Sequence, residues 1–220
     1  MMQTLRKLVP HEEFDYQVLL HALKEYGHPR DKITDLLRKG AIVRVKKGLY
    51  VFGEDYRQKP YSREVIANLI YGPSYVSLEY ALRYHGMIPE RVEAVTSVTC
   101  GRSRKFYTPL GLFTYWMIPL AAFRTGIDKI ETEDGRSFLM AVPEKALADK
   151  IRHDRGMAIR TPRDLQNYLF DDLRMDEASL QEMSPERLAE FARRYGSRKI
   201  LLLRDLVSRL RSREKGDSHA

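Results

Sequence analysis

PRDKITDLLRKGAIVRVKKGLY, residues 29 to 50, sets a short amphipathic helix directly before a basic hairpin. Ile33, Leu36 and Leu37 fall at i, i+3 and i+4 and give the helix one apolar face. Arg30, Asp31, Thr34, Asp35, Arg38 and Lys39 lie off that face. Gly40 ends the helix. Ile42-Val43-Arg44-Val45 then alternates as a strand, Lys46, Lys47 and Gly48 make the turn, and Leu49-Tyr50-Val51-Phe52 returns.

A helix followed by a cationic hairpin is how a winged helix-turn-helix lays a helix in a DNA groove and a wing on phosphate. Residues 30 to 47 hold seven Lys/Arg against two Asp, a local charge of +5 within a chain of net charge +8. Such density suits a polyanion, because neutralising phosphates releases counterions. A solvated charged surface is the plainer reading of charge alone; the helix-hairpin context favours double-stranded DNA. The DNA-facing set is Arg30, Lys32, Thr34, Arg38 and Lys39 on the helix, with Arg44, Lys46 and Lys47 on the wing. Arg30, near the helix start, is placed to reach a base edge, and Thr34 and Arg38 follow on the same stripe. The wing cations also have an alternative role as protection of a sheet edge.

Upstream, His11 to Tyr26 reads as a helix, with Phe14, Val18, Ala22 and Tyr26 every four residues and Gly27 as its stop. MMQTLRKL adds a short preceding helix, and Pro29 opens the next one. Downstream, GEDYRQKP (53 to 60) is polar and turn-rich and marks a domain boundary. Helices are expected from Ser62 to Ile70 and from Leu78 to His85, with Ser62 and Ser77 as N-caps. A β-rich block follows. Strands are expected at 92–99, 106–107, 112–118, 127–131 and 137–142, the last two joined across Glu133-Asp134-Gly135-Arg136. Pro143 opens a helix through Arg152 with Ala146, Leu147 and Ile151 inward, and helices at 162–169, 185–195 and 198–211 complete the chain.

The expected fold is α+β: a winged helix-turn-helix over 1–58, a mixed α/β domain over 59–155, helices packed on it over 156–212, and a frayed tail over 213–220. Cys100 is the single cysteine, so an intramolecular disulfide or a multi-cysteine zinc site is ruled out. The six histidines are scattered without ligand spacing, and no Gly-rich phosphate loop is present, so no metal and no cofactor are expected. No apolar run approaches the ~20 residues of a membrane span, and the first residues lack a signal-peptide core. A cytoplasmic protein without membrane attachment is the expectation.

Farther along, PYSREVIANLIYGPSYVSLEYALRYHGMIPE (60 to 90), VTSVT (95 to 99), RSRKFYTPLGLFTY (102 to 115) and VPEKALADK (142 to 150) together resemble the AbiEi antitoxin family of abortive-infection, type IV toxin-antitoxin systems. The likeness extends back through RVKKGLYVF (44 to 52) and covers roughly residues 12 to 155 in order. It implies a neighbour-encoded AbiEii-like nucleotidyltransferase toxin as partner, antagonised functionally and without need of a stable complex. It also implies an N-terminal winged helix that binds an operator inverted repeat and represses its own operon; the cationic helix-hairpin at 29 to 52 then leads to the expectation of one protein on each half-site.

Arg102, Arg104 and Lys105 form a second basic cluster between two strands, a candidate antitoxin surface or a solvated loop. A nuclease reading would use Glu131, Glu133, Asp134, Glu144 and Lys145, but the spacing fits poorly, and the Asp-Gly turn and a helix start explain these residues better. No catalytic residue is therefore assigned. The competing reading is a general winged-helix regulator controlled by a small ligand.

Overall fold

The computed structural model describes residues 2–154, 156 and 158–217. The protein is mixed α+β, with two sheets. The order begins α1 (Met2–Leu8), β1 (Glu13–Asp15), α2 (Tyr16–Ala22), α3 (Pro29–Arg38), β2 (Ile42–Lys46) and β3 (Leu49–Phe52). A 3-10 turn, Glu54–Tyr56, leads to α4 (Arg63–Ile70), β4 (Ser74–Val76), α5 (Leu78–Tyr84), β5 (Val95–Thr99), β6 (Arg104–Thr108) and β7 (Gly111–Met117). Then come α6 (Leu120–Phe123), β8 (Ile127–Glu131), β9 (Ser137–Ala141), α7 (Pro143–His153), α8 (Pro162–Asn167) with a π turn at Tyr168–Asp172, α9 (Glu177–Gln181), α10 (Pro185–Tyr195) and α11 (Arg198–Asp217).

The first sheet has the order β1-β3-β2, all antiparallel. Its presence corrects the helix expected from His11. Glu13 and Phe14 are extended and pair with Val51 and Tyr50, and the helix starts only after Asp15, whose carboxylate accepts from Val18 N at 2.8 Å. That helix also stops early, at Ala22, so Gly27 does not terminate it. A four-residue apolar spacing was satisfied another way: Phe14 is buried from a strand, against the Phe52 ring 4.8 Å away. Leu5, Leu19, Leu23, Ile33, Leu36, Ile42 and Phe52 share this N-terminal core.

The second sheet has the order β6-β7-β5-β4-β9-β8. Tyr115 and Trp116 of β7 point to opposite faces by the alternation of a strand. The Tyr115 hydroxyl donates to the Ala67 carbonyl of α4 at 2.6 Å, and the Trp116 ring lies 4.3 Å from that of His153 in α7. The sheet is thus covered on both faces, and all five residues of β5 are buried. Its middle is thin. β4 meets β9 at one register pair, Val76 with Met140, and the Asn68 amide of α4 accepts from Leu139 N at 2.6 Å and donates to Leu139 O.

α10 and α11 close over α7 and share one hydrophobic core with the second sheet. Ser62 caps α4 as expected, Thr161 and Ser184 cap α8 and α10, and Thr161 forms a full capping box with Asp164. Ser77 does not cap α5; its hydroxyl is given to Asp149 instead. α11 continues through Asp217 into the stretch expected to fray, and residues 218–220 lie outside those described. No helix among the described residues is long and apolar enough to cross a membrane.

Val45, Leu49 and Val51 of the hairpin belong to the second core rather than the first. The hairpin is therefore shared: one face closes over α3, the other joins the core around the second sheet.

Candidate nucleic-acid interface

Pro29 stands at the first position of α3, where its missing N–H costs nothing. Ile33 and Leu36 are buried, which leaves Arg30, Thr34 and Arg38 exposed on the far side of the helix. The Thr34 hydroxyl donates back to the Arg30 carbonyl at 3.1 Å. Asp35 gathers the remaining cations of the helix. Its carboxylate lies 2.9 Å from Lys39, 2.8 Å from Arg38 and 3.4 Å from Lys32. Hydrogen bonds from Lys39 and then Arg38 hold its carboxyl down to about 2, so it is ionised at any physiological pH. Arg38 and Lys39 are exposed but partly neutralised. Lys32 is half-buried, 5.9 Å from the Tyr26 ring centroid.

On the hairpin, Arg44 and Lys47 are exposed. Arg30, Arg44 and Lys47 make no ion pair among the described residues, so these three carry the uncompensated charge of the expected set.

Lys46 is the correction to that set. A register shift between Arg44 and Lys46 re-aims the strand. The half-buried Lys46 ammonium donates to the Ile70 carbonyl at the end of α4 and sits 5.9 Å from the Phe106 ring centroid. Terminal helix carbonyls lack intrahelical partners and attract cations. Lys46 is thus spent on the junction with α4 and β6 and does not face outward with Lys47.

The hairpin is fixed from its other end by close backbone approach. Gly53 N donates to Ala41 O at 2.9 Å, and a Cβ built on Gly53 would fall 1.7 Å from the Gly40 carbonyl oxygen. Only glycine permits the end of β3 to lie so near the turn that leaves α3.

Arg102, Arg104 and Lys105 are all exposed, the latter two on the edge strand β6. The Lys105 ammonium lies 5.6 Å from the Trp116 ring centroid. Beside it opens a cleft of about 610 Å³ between the ends of β5 and β7 and the last turn of α7, lined by Val98, Cys100, Trp116, Ile118, Asp149 and Arg152.

Behind this cleft is a polar cluster that the sequence did not disclose. Lys145 and Asp149, one turn apart on α7, form a fully buried ion pair. Asp149 also accepts from Tyr195, from Ser77 at 2.7 Å and from Tyr75 at 3.3 Å. Burial pushes the Lys145 ammonium below its usual value, against the opposing pull of Asp149. The i, i+4 spacing of Lys145 and Asp149 was visible, but their burial was not, since only Ala146, Leu147 and Ile151 mark an apolar face.

The residues of the nuclease reading are dispersed. Glu131 pairs with Lys129 at 3.4 Å, Asp134 with Arg136 at 2.8 Å, and Glu144 accepts from Ser184 N at 3.0 Å. Among the described residues no group of three or more His, Cys, Asp or Glu is gathered to hold a metal ion. No protein-family model matches this chain, and no curated protein matches it.

Proposed function

We propose that this chain is a DNA-binding antitoxin of the AbiEi type, which represses its own operon through an inverted repeat and counters a nucleotidyltransferase-type toxin. The N-terminal module is read as a winged helix, with α3 entering the major groove and the β2–β3 hairpin as the wing. The order α1-β1-α2-α3-β2-β3 supports that reading. The observation that carries it is the exposure of Arg30, Arg44 and Lys47 without carboxylate partners, on a helix and hairpin that share one core.

Duplex binding by the full chain tests the DNA part, with affinity measured by anisotropy across a salt series. The Arg30→Ala/Arg44→Ala/Lys47→Ala variant is expected to bind more weakly, with a salt slope flatter by about three units. An unchanged affinity and an unchanged slope would remove α3 and the wing from the account. The antitoxin part is tested by co-expressing the same variant with the adjacent gene. Rescue of growth by a chain that no longer binds DNA supports two separable roles. Growth arrest despite soluble wild-type chain would overturn the antitoxin reading.

A further inference from the structure

Arg152, in the last turn of α7, lines the 610 Å³ cleft and is half-buried. It makes no ion pair or hydrogen bond among the described residues. Its neighbours on the same helix are treated otherwise. Lys145 is held by Asp149, and Lys150 by Glu79 at 2.6 Å and Asp154 at 2.8 Å. Asp149 also borders the cleft, but Lys145, Tyr195, Ser77 and Tyr75 already occupy its oxygens. The cleft thus presents a half-buried guanidinium that is hydrogen-bonded to none of the described residues of its wall. Its nitrogens are not sealed from solvent, so an acceptor arriving from outside can reach them in place of water.

The rest of the wall is largely apolar, with Cys100, Ser103 and His153 adding polar atoms. Val98 and Ile118 are buried, while Met117 and Leu120 at the mouth are 60% and 51% exposed. The Trp116 indole stands between the His153 ring and the Lys105 ammonium. A volume of about 610 Å³ falls within the range of small-molecule sites, which combine mostly apolar walls with a few placed polar groups. Arginine offers a planar fork that matches carboxylate, sulfonate or phosphate oxygens.

The geometry points to a binding site for a small organic anion, with its acidic group on the Arg152 guanidinium and an apolar ring system against Trp116, Ile118 and Leu120. The site is separate from the DNA reading and does not depend on it. A bare inorganic anion would leave the apolar wall unused, and an uncharged ring would leave Arg152 unpaired.

Trp116 is the chain's single tryptophan, so indole fluorescence reports on this cleft alone. The full chain is titrated with 8-anilinonaphthalene-1-sulfonate, with the uncharged N-phenyl-1-naphthylamine, and with inorganic phosphate. The sulfonate is expected to quench Trp116 saturably at one site, and the uncharged dye to bind about tenfold or more weakly, the loss expected of one charge-assisted hydrogen bond. Phosphate alone should give no saturable change. Arg152→Gln should weaken the sulfonate by about the same factor and leave the uncharged dye as it was. Leu120→Asp, at the exposed rim, should also weaken the sulfonate, and provides the decision if Arg152→Gln does not fold. Arg209→Ala, on the exposed side of α11, should change nothing. Non-saturable quenching, equal binding of charged and uncharged dyes, or wild-type sulfonate binding by a folded Arg152→Gln or Leu120→Asp chain would each overturn the site.

Discussion

Arg136, in the turn between β8 and β9, donates to the carboxylate of Glu13 in β1, 123 residues earlier in the chain. The two side chains are 9% and 2% exposed. Arg136 also holds Asp134 and reaches the Pro60 carbonyl at 3.3 Å, and Glu13 accepts from Ser62 N at 3.0 Å. With Lys46 on Ile70, this fastens the N-terminal module to the second sheet at two points.

Removing one partner of a buried pair strands the other, at a cost of about 3–5 kcal/mol. Arg136→Ala should therefore lower urea-unfolding stability by about that amount. Glu13→Gln/Arg136→Leu should lose clearly less than the two single changes summed, because neither member of the pair is left charged and buried without the other. Strict additivity would show that the two side chains do not depend on each other.

Lys46 and Lys47 are neighbours with different work. Lys47→Ala should flatten the salt dependence of DNA binding by about one unit, while Lys46→Met should leave the slope in place and lower the melting temperature. Equal slopes for the two variants would mean that Lys46 leaves Ile70 when DNA arrives.

Asp35→Asn releases Lys32, Arg38 and Lys39 from a carboxylate. Duplex affinity should rise and its salt slope steepen, since more cations are then available to phosphate. The acid limb moves too. The Asp35 carboxyl is held at about 2, below its unfolded value, so its contribution is present above about pH 4 and lost as pH falls through about 2. The variant's stability should therefore vary less over that window. A variant with the wild-type salt slope would show that the three cations are not near the DNA.

Tyr75, Tyr80, Tyr115, Tyr168 and Tyr195 all have phenols pushed up, chiefly by burial. Above about pH 10 the folded chain keeps protons that the unfolded chain has lost, so stability falls as pH climbs. Absorbance at ~295 nm should show these five of the 13 tyrosines ionising together with the loss of far-UV ellipticity, after the others. Early and gradual titration of all 13 would show that these five phenols are open to water.

Gly53→Ala would drive a methyl into the Gly40 carbonyl. The N-terminal module should lose about 2 kcal/mol or more, read from hydrogen exchange at Ala41 and Phe52. Unchanged protection there would mean that the turn after α3 yields freely.

What was legible in the sequence was local. α3, the β2–β3, β6–β7 and β8–β9 hairpins, α7 and α10 follow from apolar spacing, caps and turn residues that lie within each segment. What was hidden depended on distant partners. Glu13 and Phe14 carry a helical spacing, but the edge of β3 makes them a strand. β4 is three buried residues with no alternation, so only its neighbours define it. In the DNA-facing set, the exposed residues of α3 and the turn were readable, whereas the aim of Lys46 is set by a carbonyl 24 residues on.

The thin junction at β4 divides the second sheet into two plates, riveted by Val76–Met140 and by the Asn68 amide. Glu13 and Arg136 hitch the N-terminal module to the plate of β8 and β9, while Trp116 and Val98 place the cleft on the plate of β5 and β7. Lys46 ties the same module to Ile70 and stands beside Phe106 of β6, on the cleft's own plate, so the module straddles the seam and braces the two plates against each other.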